Sequence, residues 1–173
     1  MKYKYSLGFM NYCSHDPGCA IIKSDGNTFD YIFAEEGFFS RRKKSYHFPL
    51  RSLKYCLDYF RIKLSDIDII CNDFMDHRRS FRTSNNYRLL VGDFIRSRLK
   101  IDKKKYNFID SHHLAHAYTA FWPSGFKKAT VLIVDGLGSN QHTHSIYLMD
   151  RNGNNKLIFE QKGQGIGALY SLI

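Results

Sequence analysis

The stretches SHHLAHA at residues 111–117 and ATVLIVDGLG at residues 129–138 decide how this chain folds and what it can bind. In the first stretch, His112 and His116 are four residues apart, and a helix brings residues at that spacing to one face, one turn apart. The second is typical of a buried strand that ends in Asp135 and a glycine-rich turn. Two imidazoles and one carboxylate with open positions suit iron, manganese or zinc.

The same residues allow a purely structural interpretation. Histidine pairs at this spacing occur in helices by chance, and Asp-Gly after a strand is often only a turn. His113 lies off the shared face, which favours a role in packing or in supporting the ligands. From spacing alone, both interpretations stay open.

Length and composition predict one globular unit. The 173 residues amount to about one domain, and 43% hydrophobic and 16% aromatic residues are enough for a buried core. No apolar run approaches the roughly 18 residues that cross a bilayer, and the N-terminus lacks the apolar core of a signal peptide. We therefore expect a cytoplasmic protein without a membrane partner. The four cysteines form no CxxC pair, which predicts reduced thiols: Cys13, Cys19, Cys56 and Cys71.

The net charge of +10 predicts an anionic ligand or partner. Basic residues cluster at 41–44, 78–82, 96–105 and 127–128. The first cluster follows an acidic pair and precedes a helix, so we expect Arg41, Arg42 and Lys43 to face a phosphate. For residues 103–105 we favour a solvated surface.

The order of elements predicts a duplicated α/β fold. Strands are expected at 5–10, 19–23, 28–34, 67–71 and 106–109, with an irregular segment at 35–46. Helices are expected from Pro49, with Leu50, Leu53, Leu57 and Phe60 buried, at 87–99, and at the histidine stretch, capped by Asp110 or Ser111. The pattern then restarts with strands at 131–134, 144–149 and 156–161 and a helix start after Gly163.

This order is that of the ribonuclease-H-like fold found in the actin, sugar kinase and Hsp70 group. It predicts one complete lobe at 1–128 and the first strands of a second, truncated lobe at 129–173. In that group a nucleotide phosphate lies between the lobes, held by the first turn of each. Here those turns are residues 11–18 and 135–140.

Six motifs carry a resemblance to a known family. They are SHD at 14–16, AEEGFFSRRK at 34–43, FP at 48–49, HHLAHA at 112–117, AFWPSGF at 120–126 and VDGLG at 134–138. In order and spacing the chain resembles the N-terminal part of the large O-carbamoyltransferases of the nodulation and antibiotic-tailoring type. These enzymes attach a carbamoyl group to a sugar or polyketide hydroxyl.

The resemblance implies a set of site residues. The metal ligands are His112, His116 and Asp135, with iron favoured over manganese or zinc. His15 matches the histidine near the transferred carbamoyl group, which suits a general base or an electrophile. Gly136 and Gly138 match the turn near the nucleotide phosphates. Gly37 replaces the usual arginine, and Ser139 the usual glutamate, which removes one charge of each sign from the expected contacts.

The resemblance also implies substrates and partners. In the family, carbamoyl phosphate and ATP form carbamoyl-adenylate in a YrdC-like C-terminal domain, and a Kae1-like N-terminal domain transfers the carbamoyl group to the hydroxyl of a small molecule. The adenylate-forming domain has no counterpart before residue 173. We therefore expect a fragment or split subunit that is inactive by itself, with the missing lobes on a second polypeptide.

Two alternatives remain. In the first, the chain is a shortened, non-catalytic homologue that binds a metal or an anion. In the second, it is a basic nucleic-acid-binding protein with Tyr and Phe as stacking partners. The second explains the charge but leaves the His-Asp pattern without a role.

Overall fold

The computed structural model describes residues 2–9, 17–42, 48–73, 99–100, 102–109, 111–138 and 141–169. The strands are β1 (Lys4–Phe9), β2 (Gly18–Ser24), β3 (Phe29–Glu35), β4 (Ile69–Asp73), β5 (Tyr106–Ile109), β6 (Lys128–Val134), β7 (His142–Asp150) and β8 (Asn155–Lys162). The α-helices are α1 (Glu36–Ser40), α2 (Leu50–Phe60), α3 (His112–Phe121) and α4 (Ile166–Leu169). The chain divides into two compact units, Met1–Asp73 with His77–Phe108, and Phe74–Asp76 with Ile109–Ile173.

The first unit is built on a five-stranded mixed sheet in the order β3-β2-β1-β4-β5. The antiparallel pairing of β1 with β2 and of β2 with β3 confirms the predicted three-strand meander, and β4 runs parallel to β1. The β2–β3 turn is fixed by Asp25, whose Oδ1 accepts the N–H groups of Asn27 and Thr28 at 2.9 and 2.8 Å. Leu7 and Phe9 alternate inward along β1 and are buried.

Helix α2 buries only part of the face that the sequence predicts. Leu53 is buried as expected and Leu57 and Phe60 are half-buried, whereas Leu50 is 54% exposed. Ser52 and Cys56 are buried as well. The cause is Glu36, because its buried carboxylate accepts both the N–H and the hydroxyl of Ser52 at 2.9 Å. This anchor turns the Ser52 side of the first helical turn inward and leaves Leu50 outside.

The segment at 35–46, predicted to be irregular, contains the short helix α1. The N–H of Glu36 donates to the carbonyl of Pro17 at 2.8 Å, and the helix ends at Arg41 in the left-handed conformation, with φ of 56°. Lys105 also differs from the prediction of a solvated basic run, because its ammonium donates to the carbonyls of Ser65 and Ile67 at 3.2 and 2.6 Å.

Several predictions fall outside the described residues. They concern Cys13, His15, Lys43 and nearly all of the helix expected at 87–99. The lobe boundary expected between residues 128 and 129 also stays a prediction. Among the helices that the structure describes, none is long and apolar enough to cross a membrane.

The second unit packs α3 on one face of an antiparallel three-stranded sheet in the order β6-β7-β8. The buried core between them consists of Ala117, Phe121, Val131, Ile133, Tyr147 and Met149. β6 and β7 alternate buried and exposed residues, as expected for strands with one covered face. On the other face Leu132 and Phe159 are 62% and 47% exposed.

Candidate metal centre

Helix α3 supplies the two histidines of the site from its first turns. Its N-cap is Ser111, whose hydroxyl accepts the N–H of Leu114 at 3.2 Å. A serine cap fixes where the helix begins, and therefore which side of it carries residues 112 and 116. Of the two caps that the sequence allowed, the structure uses Ser111.

The Nε2 atoms of His112 and His116 lie 2.9 Å apart, and Nε2 of His112 lies 3.4 Å from Oδ2 of Asp135. One ligand atom from each of the three residues lies within 4.8 Å of the others. Neighbouring ligands on a divalent ion with bonds of about 2.0–2.2 Å are separated by about 3.0–3.5 Å. The three residues therefore fit a shared ion, although a hydrogen bond between the two imidazoles explains their separation equally well.

The environment of Asp135 favours the shared ion over the hydrogen bond between the imidazoles. Its Oδ1 accepts the N–H of Gly136 at 2.6 Å, whereas its buried Oδ2 has no hydrogen-bond partner among the described residues. Burying a carboxylate oxygen without a hydrogen bond is costly. The imidazole nitrogens of His112 and His113 lie 3.4 and 3.7 Å from Oδ2, and each is charged only when protonated. A cation bound between Oδ2 and the imidazoles of His112 and His116 would remove that cost.

The three residues differ in exposure. His112 is buried, Asp135 is half-buried and His116 is exposed. An ion held here would thus have protein ligands on its inner side and positions facing solvent beside His116. Such an open ligand set is typical of catalytic rather than purely structural metal sites.

His113 lies behind the ligands and is only 1% exposed. Its Nδ1 is 2.6 Å from the hydroxyl of Ser145, and its Nε2 is 3.7 Å from Oδ2 of Asp135. Burial lowers the pKa of His113, while the nearby carboxylate of Asp135 opposes that shift. The burial confirms that His113 packs inside the protein, and its role in supporting the ligands stays a prediction.

A second histidine–carboxylate pair lies on the neighbouring strands. Nδ1 of His142 in β7 is 2.9 Å from Oε1 of Glu160 in β8, and the His142 ring centre is 6.1 Å from that of His113. Sequence reasoning missed His142, Ser145 and Glu160. The available signal was the period-two pattern of β7, which places Ser145 on the same face as the core residues Tyr147 and Met149.

Three glycines allow close packing around the Asp135 turn. A Cβ on Gly138 would lie 2.7 Å from Nε2 of His113. A Cβ on Gly165 would lie 2.6 Å from the carbonyl oxygen of Asp135, and one on Gly167 would lie 2.5 Å from the amide nitrogen of Gly136. The glycine-rich segment before and within α4 therefore packs directly against the turn that carries the candidate ligand.

The structure thus brings His112, His116 and Asp135 together in the second unit, beside Gly136 and Gly138. Arg41 and Arg42 are exposed residues of the first unit. The expected phosphate contacts of these arginines stay a prediction, as do the roles of His15 and Lys43, which lie outside the described residues.

Comparison with known proteins identifies the family. The family model described as "Carbamoyltransferase N-terminus" matches residues 72–173, which is more than half of the chain and includes the whole candidate centre. The chain belongs to the carbamoyltransferase N-terminus family.

Relatives of this carbamoyltransferase domain are much longer. The chain is 33% identical over 150 residues to nodulation protein NolNO of Sinorhizobium fredii, covering 79% of the chain and 22% of that protein. It is 28% identical over 159 residues to the uncharacterized protein sll1178 of Synechocystis, covering 76% of the chain and 25% of that protein. The domain therefore spans about a quarter or less of the length of these relatives.

A solved structure supports the fold class. YeaZ from Pseudomonas aeruginosa superposes with a TM-score of 0.51 at 12% identity, covering 92% of this chain and 67% of YeaZ. At this identity the likeness concerns the fold. The carbamoyltransferase domain has the α/β, ribonuclease-H-like fold expected from the order of its elements.

Proposed function

We propose that this domain holds a divalent metal ion on His112, His116 and Asp135 and takes part in carbamoyl transfer to the hydroxyl of a small molecule. The observation that carries the proposal is the buried Oδ2 of Asp135, which has no hydrogen-bond partner among the described residues and lies beside the imidazoles of His112 and His116, in a chain of the carbamoyltransferase family. Iron is the favoured ion, with manganese or zinc as alternatives. A bound ion would act as a Lewis acid that polarises the carbamoyl carbonyl.

The chain's own residues would orient the reactants. The exposed side of the centre, at His116, leaves room for the carbamoyl donor and the acceptor hydroxyl. In the transfer, the hydroxyl oxygen bonds to the carbamoyl carbon of carbamoyl-adenylate while the bond from that carbon to the phosphate oxygen breaks, which releases AMP. We propose that His15 accepts the proton of the hydroxyl.

Gly136 and Gly138 have an indirect role in this proposal. Gly136 donates its N–H to Asp135, and Gly138 donates its N–H to the carbonyl of His142 at 2.7 Å. Because both amides are engaged within the turn, these glycines would serve a phosphate by letting the backbone approach closely. Arg41, Arg42 and Lys43 would supply the positive charge.

We further propose that the 173 residues act only together with further polypeptide. The relatives are about four times as long as the matched region. We propose that carbamoyl-adenylate is formed from carbamoyl phosphate and ATP by a part that corresponds to the remainder of these longer relatives. A second polypeptide carrying that part is the proposed partner.

The test mixes the purified chain with a polypeptide that spans the remainder of a relative such as NolNO. ATP, carbamoyl phosphate and a panel of sugar and polyketide alcohols are supplied, and carbamoylated products are measured by mass spectrometry. We expect product from the mixture, none from either part alone, and none when the chain carries His116→Ala. Undiminished product from the mixture with His116→Ala would contradict the metal-dependent role, and product from the chain alone would contradict the need for a partner.

A further inference from the structure

A buried chain of polar contacts runs from Ser145 through His113 to Asp135. Ser145 is 0% exposed and His113 is 1% exposed. The hydroxyl of Ser145 is 2.6 Å from Nδ1 of His113, and the opposite ring nitrogen, Nε2, is 3.7 Å from Oδ2 of Asp135. The imidazole of His113 thus lies between Ser145 of β7 and the candidate ligand Asp135, on the buried side of the metal centre.

The carboxylate of Asp135 determines which ring nitrogen of His113 carries the hydrogen. An unprotonated Nε2 would place its lone pair toward a buried carboxylate oxygen, and two acceptors facing each other in a low-dielectric interior repel. We therefore expect the hydrogen on Nε2. In the neutral ring, Nδ1 then accepts the hydroxyl hydrogen of Ser145, and in the charged ring, Nδ1–H donates to the Ser145 oxygen. Nε2–H points toward Asp135 in both protonation states.

The two carboxylate oxygens of Asp135 have different neighbours. Oδ1 is held by the N–H of Gly136 at 2.6 Å. Oδ2 lies 3.7 Å from Nε2 of His113, which is longer than a hydrogen bond, and 3.4 Å from Nε2 of His112. Oδ2 and Nε2 of His113 are both buried without a hydrogen-bond partner among the described residues, so the two atoms face each other unsatisfied. A donor beside a ligating carboxylate orients the ligand for its metal and tunes its basicity.

Building on the metal site proposed above, we propose that His113 is a positioning residue, which uses Nε2–H to aim Oδ2 of Asp135 at the ion shared with His112 and His116. The ring itself is placed by the Ser145 hydroxyl on one side. On the other side, Gly138 leaves space for the ring, since a Cβ there would lie 2.7 Å from Nε2. A histidine that only fills space would have no such requirement for a hydrogen on Nε2.

The experiment uses the 173-residue chain and two measurements. In the metal-free chain, long-range ¹H–¹⁵N NMR correlations identify which imidazole nitrogen of His113 carries hydrogen. Binding of Co²⁺ is then titrated by its visible absorption in the wild type, in His113→Leu, which removes the donor, and in His113→Gln, whose amide N–H replaces Nε2–H. Thr143→Val is the matched control, because Thr143 is also fully buried on the same face of β7 and its hydroxyl donates to the carbonyl of Gln161 at 3.5 Å.

We expect hydrogen on Nε2, and about tenfold or greater loss of Co²⁺ affinity with an altered absorption band in His113→Leu. His113→Gln should recover most of the affinity, and Thr143→Val should bind like the wild type. Hydrogen on Nδ1 only, or wild-type affinity in His113→Leu, would overturn the inference. If the variants fail to fold, the position of the hydrogen in the wild type decides. A folded wild type that binds no Co²⁺ would instead overturn the proposed metal site, and the positioning role with it.

Discussion

Gly138 lies so close to the imidazole of His113 that a Cβ on the glycine would be 2.7 Å from Nε2 and 2.8 Å from Cδ2. The N–H of Gly138 donates to the carbonyl of His142 at 2.7 Å, which keeps the turn in this position. The missing side chain therefore makes room for a ring that borders the candidate ligand Asp135. This contact explains a glycine at position 138 without reference to any phosphate.

Replacing Gly138 by alanine should force either His113 or the turn to move. Inserting a methyl group into a packed site costs about 1–3 kcal/mol, so the free energy of unfolding should fall by that order. Gly8→Ala is the matched control, because a Cβ at Gly8 would have no heavy atom within 4 Å. Chemical denaturation gives the free energy of unfolding of both variants. An equal loss of this free energy in the two variants would contradict the packing role of Gly138.

Glu36 should stabilise the first unit much more than its neighbour Glu35. The carboxylate of Glu36 is 5% exposed and accepts two hydrogen bonds from the buried Ser52, whereas Glu35 makes no side-chain capping bond to α1. Glu36→Ala leaves two buried donors without an acceptor, at a cost of about 1–3 kcal/mol or more. Glu35→Ala should be nearly neutral. Denaturation curves that shift equally for both variants would disprove the anchoring role.

The basic residues Arg41, Arg42 and Lys43 should bind phosphate in the complete assembly. Changing all three to glutamine is expected to weaken binding of ATP or carbamoyl phosphate, because it removes three positive charges. The control changes three exposed basic residues elsewhere in the chain to glutamine and so removes the same charge: Lys104, Lys127 and Lys128. Calorimetric titration compares the two proteins. An equal loss in both would indicate non-specific attraction of anions by the net positive charge.

The buried thiol of Cys56 should make stability depend on alkaline pH. Burial raises the pKa of Cys56 from 9.0 to about 11, so the folded chain keeps the thiol proton where the unfolded chain loses it. This contribution to stability is complete below pH 9 and is lost as the pH rises toward 11. The melting temperature of Cys56→Ala should therefore fall less steeply over this interval than that of the wild type. Parallel curves would contradict the prediction.

Local sequence patterns were sufficient to predict the helix and strands that carry the candidate site. The alternation in β6 and β7, the serine cap at 111 and the four-residue spacing of His112 and His116 are all encoded over short stretches. The strands and the two possible caps were predicted from neighbouring residues. The strand predicted to be buried from residue 131 instead begins at Lys128 and leaves Leu132 and Val134 exposed, so that prediction was wrong for one of its faces. The fold class followed from the order of those elements.

The supporting contacts depend on tertiary packing and could not be predicted in the same way. Ser145 meets His113 only because β7 lies against α3, and Glu36 meets Ser52 only when α1 is brought beside α2. The sequence shows the polar residue in each case but not its partner. The same limit explains why Leu50 was placed in the core, since its apolar character does not show that Glu36 binds Ser52 in the same helical turn.

The central claim is that His112, His116 and Asp135 share one metal ion, and elemental analysis of the purified chain tests it most directly. The protein is loaded with Fe²⁺ without oxygen, freed of unbound ion and compared with His116→Ala. His144→Ala serves as the control, since His144 lies outside the three-residue group. We predict about one ion per wild-type chain, the same content in His144→Ala, and a strong loss in His116→Ala. Equal metal content in His116→Ala and the wild type would contradict the claim.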